Sequence, residues 1–243
     1  MKNGTLAIIP ARGGSKRIPR KNVRPFLGVP VIKYSIDAAM ASGCFEEIMV
    51  STDDERTAAL VRKLKAKVPF MRSARNSGDL STTADVIREV LEEYAKRGRT
   101  FSRACCIYPA APFVTAARLK AGYALLRRRS AGTVATVVRF DHPIQRAFRI
   151  KDGRLSMFWP GNRDSRSQDL EPAYHDAGQF YWFDVKKFLS AGALFGGDVV
   201  PLEIPATEVQ DLDTETDWAV AEIKLERLKK TTCRQRRRKA ANK

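Results

Sequence analysis

Four cysteines in 243 residues, Cys44, Cys105, Cys106 and Cys233, form no Cys-x-x-Cys pair. They read as reduced, buried or incidental thiols in a cytoplasmic protein, and neither a disulfide framework nor a thiolate zinc site is expected. Histidine is scarcer still, with only His142 and His175. No apolar run approaches the roughly 18 residues that span a bilayer, so no membrane partner is expected. The apolar stretch Leu6 to Ile9 stops at Pro10 and Arg12, too short for a secretory signal, and none is expected. No internal repeat is present.

What the chain has in excess is positive charge, +17 in all. Residues 224–243 hold ten Lys/Arg against the single acid Glu226, and the rest is moderately basic, which suits an anionic small substrate. The end of the chain alone would suit nucleic acid or an anionic membrane. It has no aromatic residue from 224 onward, however, so base stacking is missing and nucleic acid is the rival rather than the expected partner. Residues 231–243 read as a disordered basic tail after one domain over 1–230.

Short apolar runs alternate with helical periodicity. Strands are expected at 5–9, 47–51, 103–108, 133–138 and 198–204, with helices at 30–42, 53–65, 81–94, 115–128 and 214–230. This rhythm predicts an α/β, doubly wound, mostly parallel sheet whose ligand sits at the carboxyl ends of the strands. Between about 140 and 183 hairpin-like pieces replace it. They predict a small β insertion that covers the site or makes a dimer contact.

After the first strand comes Pro10-Ala11-Arg12-Gly13-Gly14-Ser15-Lys16-Arg17-Ile18-Pro19-Arg20-Lys21-Asn22. Adjacent glycines let backbone N–H groups face a ligand, and five cations crowd residues 12–21, which together suit a polyphosphate. The spacing is that of neither a Walker loop nor a dinucleotide fingerprint. Downstream, Asp211-Leu212-Asp213 places two carboxylates at i, i+2 on an extended segment, facing one way. Two hard oxygen ligands suit Mg²⁺, although Asp213 or Thr214 also reads as a helix cap.

The wording of the loop resembles the signature of the acidic-sugar cytidylyltransferases, the family of the CMP-sialic acid synthetases. The likeness runs on through Val50-Ser-Thr-Asp-Asp54, Leu80-Ser-Thr-Thr-Ala-Asp-Val86, Tyr108-Pro-Ala-Ala-Pro112, Gly178-Gln-Phe-Tyr181 and Asp211-Leu-Asp-Thr214, covering roughly 5–228. It implies a nucleotide-diphospho-sugar transferase-like fold and a homodimer. It also implies transfer of CMP from CTP to a nine-carbon acidic sugar, with release of pyrophosphate. By resemblance, Arg12, Ser15, Lys16 and Lys21 grip the triphosphate with Gly13 and Gly14, and Ala11 and Asn22 meet cytosine or ribose. Arg72, Thr82 and Thr83 also serve the nucleotide. Asp211 and Asp213 hold Mg²⁺, and Arg12, Lys16, Lys21 and Asp211 are the catalytic set.

Two departures bear on the sugar. Tyr108 stands where sialic acid enzymes carry Gln, and His175 stands where they carry Arg. Both are similar to the branch that uses pseudaminic acid, a bacterial sugar of flagella and cell surfaces. Sialic, legionaminic and the eight-carbon octulosonic acids are the alternatives. Tyr108, Arg166, Gln168, His175, Gln179, Phe180 and Tyr181 are the candidate sugar contacts, with Asp169 and Asp176 as possible bases. Alternation along Phe180 to Phe183 would send two aromatic rings to a core and two to a site or interface. His142, beside Pro143, reads as a turn residue.

Overall fold

The computed structural model describes the backbone of residues 4–241 and the side chains of residues 4–231. In chain order the elements are β1 (Thr5–Pro10), β2 (Pro25–Phe26), β3 (Val29–Pro30), α1 (Ile32–Ser42), β4 (Glu47–Ser51), α2 (Glu55–Lys63), α3 (Thr83–Lys96), β5 (Arg103–Ile107), α4 (Ala116–Arg129), β6 (Thr133–Arg139), β7 (Phe148–Lys151), β8 (Arg154–Met157), β9 (Tyr174–Asp184), α5 (Val185–Ala191), β10 (Val199–Glu203) and α6 (Glu215–Ala241). Six strands form one sheet in the order β10-β6-β9-β5-β1-β4. All neighbours are parallel except β9, which runs antiparallel to both β5 and β6. The expected doubly wound, mostly parallel α/β sheet is present.

The aromatic run Phe180 to Phe183 explains where β9 sits. All four side chains are buried, and none is divided between a core and a site. Phe180 and Trp182 join Ile9, Val50 and Ile107 under α1 and α4, while Tyr181 and Phe183 join Ile8, Met49 and Tyr94 under α3 and α5. A strand apolar on both faces belongs in the middle of a two-faced sheet. The insertion expected over 140–183 therefore ends before β9. Its independent part is the β7–β8 hairpin.

A third apolar cluster lies outside the sheet. Ile18 packs with Phe26, Val31, Leu212, Trp218 and Leu225, which pins the glycine-rich loop to the start of α6. Thr214 and Asp217 close a reciprocal cap there. Asp217 N donates to Thr214 Oγ1 at 3.1 Å, and Thr214 N donates to Asp217 Oδ2 at 2.8 Å. α6 runs through residue 231, where a disordered tail was expected to begin, and its backbone continues to Ala241. No Gly or Pro occurs between 215 and 241 to stop it. Residues 242 and 243 lie outside the described residues.

Candidate active site

A cavity of about 310 Å³ opens at the carboxyl ends of β1 and β5. The loop after β1 supplies Arg12, Ser15, Lys16, Arg17, Lys21 and Asn22. Arg72, Thr82 and Thr83 form a second wall, and Tyr108, Gly178 and Asp211 a third. Ten of the residues expected from the sequence thus meet in one cleft: Arg12, Ser15, Lys16, Lys21, Asn22, Arg72, Thr82, Thr83, Tyr108 and Asp211.

The loop is held by its own polar atoms. Asn22 is buried and donates from Nδ2 to the Arg12 carbonyl at 3.0 Å. Ala11, also buried, is fixed by its N–H to Ser51 O at 2.8 Å. Gly13 differs from expectation. Its N–H donates to Asp53 Oδ1 at 2.9 Å, and a Cβ there would stand 2.9 Å from that of Asp54. The glycine serves a close approach between loop and α2 start, and its N–H is used inside the protein. Neither Gly13 nor Gly14 lines the cavity. Arg72 is buried and donates to Ser51 Oγ at 2.9 Å and Ser51 O at 2.6 Å. Burial lowers its pKa from the usual arginine value, opposed by Asp53 and Glu89.

Four loop cations are matched by two acids. Arg12 and Lys16 pair with Asp79, while Arg17 and Lys21 pair with Asp213. Asp213 is not the helix cap, since Thr214 and Asp217 fill that role. Burial pushes the Asp211 carboxyl above its ordinary value, and the neighbouring Asp213 charge adds to this. Burial also works to raise Asp213, but the Lys21 hydrogen bond and the charges of Lys21 and Arg17 outweigh it and hold Asp213 low. No cluster of three or more His, Cys, Asp or Glu suited to a metal occurs among the described residues. Two carboxylates beside a phosphate-sized cleft nevertheless fit Mg²⁺, which retains waters and takes substrate phosphate oxygens in place of further protein ligands.

The sugar side was less legible. Tyr108 lines the cavity, and its hydroxyl lies 3.1 Å from Thr83 Oγ1. Burial raises its pKa. Gln179 is buried and bonds the Glu208 carbonyl through Nε2 at 2.6 Å, while Phe180 and Tyr181 are core. His175 is exposed, with its ring 4.7 Å from that of Phe140 and Nδ1 2.9 Å from Asp176 O. Arg166 is exposed and holds Asp169 at 2.6 Å, and Gln168 is exposed beside them. Asp176 accepts from the Tyr181 hydroxyl at 2.5 Å and from Gly178 N at 2.9 Å. None of Arg166, Gln168, Asp169, His175, Asp176, Gln179, Phe180 and Tyr181 lines the cleft.

Residues 6–151 match the family model described as cytidylyltransferase. The chain belongs to the cytidylyltransferase family. A pseudaminic acid cytidylyltransferase of Campylobacter jejuni is 39% identical over 224 residues, spanning 92% of this chain and 96% of that protein. A CMP-N,N'-diacetyllegionaminic acid synthase of Legionella pneumophila is 29% identical, spanning 91% and 96%. A solved CMP:2-keto-3-deoxy-manno-octonic acid synthetase, in complex with CTP, superposes with a TM-score of 0.65 over 93% of this chain and 99% of that one. At 15% identity that is a likeness of fold. Within this cytidylyltransferase cleft, Asp79 was not anticipated from the sequence. Its only signal there is an isolated acid in the segment Asn76-Ser-Gly-Asp-Leu-Ser81.

Proposed function

We propose that this protein couples CTP to pseudaminic acid, giving CMP-pseudaminic acid and pyrophosphate. The observation that carries the reading is the cleft at the strand ends, ringed by Arg12, Lys16, Arg17, Lys21 and Arg72. The relatives named above supply the substrate class. The anomeric hydroxyl oxygen of the sugar attacks the α-phosphorus of CTP. An oxygen–phosphorus bond forms, the bond to the β-phosphate bridge breaks, pyrophosphate leaves and the hydroxyl proton passes to solvent. Such a reaction asks mainly for positioning and charge neutralisation. Arg12, Ser15, Lys16 and Lys21 orient the triphosphate, with Lys16 and Lys21 offsetting charge on the leaving group. Asn22, Thr82 and Thr83 face the nucleotide, and Tyr108 faces the sugar. Asp211 and Asp213 would hold Mg²⁺, which supplies further neutralisation at the phosphates.

Support for a homodimer comes from the β7–β8 hairpin. Phe148, Ile150, Leu155, Phe158 and Trp159 are exposed on it and on the residues just after it. A lone two-stranded hairpin is marginal without a covering surface, and a second copy of this chain supplies one. No helix among the described residues is long and apolar enough to cross a membrane. A cytoplasmic location is part of this proposal, and it suits an enzyme that draws on CTP.

The test is pyrophosphate release from CTP with purified pseudaminic, sialic, legionaminic and octulosonic acids. Turnover fastest with pseudaminic acid is expected. Turnover fastest with another sugar moves the substrate assignment, and none with any sugar removes the proposal. Light scattering should give twice the chain mass, falling to one chain mass in Ile150→Asp with Phe158→Asp.

A further inference from the structure

Asp79 lies in the cleft with its two carboxylate oxygens on two loop cations. Oδ1 is 3.0 Å from Arg12 NH1, and Oδ2 contacts Lys16 Nζ. The neighbouring Gly78 carbonyl accepts from the same Arg12 nitrogen at 3.4 Å. An acid placed against the cations that orient phosphates is at first sight counterproductive.

We infer that Asp79 is an internal competitor for the phosphate groups, occupying Arg12 and Lys16 when the cleft is empty and giving them up when a polyphosphate enters. The inference rests on the reading of this cleft as the triphosphate site, and it adds a residue that sets ligand affinity there.

Three features support displacement. The segment carrying Asp79 is lightly packed: Leu80 is 97% exposed, and a Cβ on Gly78 would touch nothing. The start of α3 does not depend on Asp79, because Thr82 and Asp85 cap it reciprocally. Ser81 Oγ is separately anchored on the Arg75 carbonyl at 3.0 Å. The carboxylate can therefore leave the cations without unwinding the helix. Finally, a pyrophosphate carries several charges against one, so it outcompetes the carboxylate where a weaker anion does not. Asp79 thereby raises the charge a ligand must bring to reach Arg12 and Lys16. Lys16, and after it Arg12, hold the Asp79 carboxyl below its ordinary value, so at neutral pH the competitor is ionised.

The sign of the effect separates this from the ordinary expectation. A residue that helps to bind substrate or metal weakens binding when neutralised, whereas a competitor strengthens it. Sodium pyrophosphate is titrated calorimetrically, without added metal, into the full-length wild type, Asp79→Asn, Asp79→Ala, Arg12→Ala and Asp37→Asn. Asp37 pairs with Lys33 on α1 outside the cleft, so its variant controls for net charge alone. Both Asp79 variants should bind about fivefold more tightly than wild type, the upper end for exposed pairs, with unchanged thermal unfolding. Arg12→Ala should bind more weakly, and Asp37→Asn should match wild type. The Asp79 gain should shrink between about 0.05 and about 0.5 M KCl, because the pairs are solvent-accessible and screened. In turnover, Asp79→Asn should lower the KM for CTP and the inhibition constant of pyrophosphate together. Equal or weaker pyrophosphate binding by the Asp79 variants overturns the inference and leaves the cleft assignment standing. Gain equalled by Asp37→Asn also overturns it. Failure of wild type to bind pyrophosphate removes both.

Discussion

Lys21 Nζ lies 3.1 Å from Asp213 Oδ1, joining the glycine-rich loop to the segment before α6 across 192 positions of sequence. Arg17 reaches the other oxygen of the same carboxylate at 2.5 Å. Both contacts sit over the apolar cluster of Ile18, Leu212 and Trp218. The loop cations and the paired carboxylates are thus placed by one packing unit.

Lys21 is the less exposed of the two cations on Asp213, at 23% against 70% for Arg17. A half-desolvated ammonium acts on transition-state charge more strongly than one in water. Lys21→Ala should cut turnover by about 100-fold or more, the loss typical of removing one electrostatic stabiliser. The KM for CTP should change less. Steady-state pyrophosphate release checks both, and near-normal turnover at saturating CTP removes Lys21 from the catalytic set.

Asp211 and Asp217 separate a metal role from a capping role. Asp211→Asn or Asp213→Asn should raise the Mg²⁺ concentration for half activity and lower the maximal rate, with little change in melting temperature. Asp217→Ala should do the reverse. It removes half of the reciprocal cap on α6, costing about 1 kcal/mol, or about 2–4 °C for a chain of this size, with normal Mg²⁺ dependence. Activity against Mg²⁺ and thermal unfolding of the three variants decide the matter. Normal Mg²⁺ dependence in both Asn variants would remove the metal role from the pair and leave Asp213 as the partner of Lys21 and Arg17 alone.

The sheet and the phosphate side were legible because they depend on short-range signals. Strand runs such as Thr5 to Ile9, and a loop whose residues are neighbours in sequence, carry their structure locally. The sugar side depends on register. Phe180 to Phe183 reads as an aromatic strand either way, and only its pairing with both β5 and β6 decides that all four rings are core. The same strand turns Gln179 inward onto Glu208 and leaves His175 outside against Phe140. The Asp79 contacts were equally out of reach, since they bridge 63 to 67 positions without a periodic signal.

Glu47 gives a pH-dependent test of the fold. Its carboxylate is buried and accepts from Lys67 at 2.9 Å and from Arg99 and Tyr94. Burial would raise its pKa, but the bonds from Arg99, Tyr94 and Lys67 outweigh burial and hold it below the ordinary value. A depressed carboxyl contributes stability above its unfolded pKa of about 4.3 and loses it as pH falls through the lower folded value. Glu47→Gln should therefore cost about 1–2 kcal/mol at pH 7, modest because both cations remain in solvent. The gap to wild type should close below about pH 4. Urea unfolding from pH 7 to pH 3 measures it, and a gap unchanged at low pH would assign the loss to packing.

Tyr108, whose hydroxyl is 3.1 Å from Thr83 Oγ1 at the cleft wall, is the residue proposed to meet the sugar. A site that hydrogen-bonds one set of substituents rejects an isomer lacking them, because buried polar groups go unpaired. Pseudaminic and sialic acids differ in ring stereochemistry and in an acylamino group standing in place of a hydroxyl. A preference for pseudaminic acid of about 100-fold or more in kcat/KM is expected on that ground. Tyr108→Gln should narrow the ratio, mainly by weakening use of pseudaminic acid, while the KM for CTP holds because the Arg12 to Asn22 loop is untouched. His175→Arg, the second departure from the sialic acid pattern, should leave the ratio unchanged, since His175 is exposed and outside the cleft. Competition assays with both sugars on the wild type and the two single variants check this. A ratio moved by His175→Arg but not by Tyr108→Gln would transfer the choice of sugar from the cleft wall to the outer end of β9.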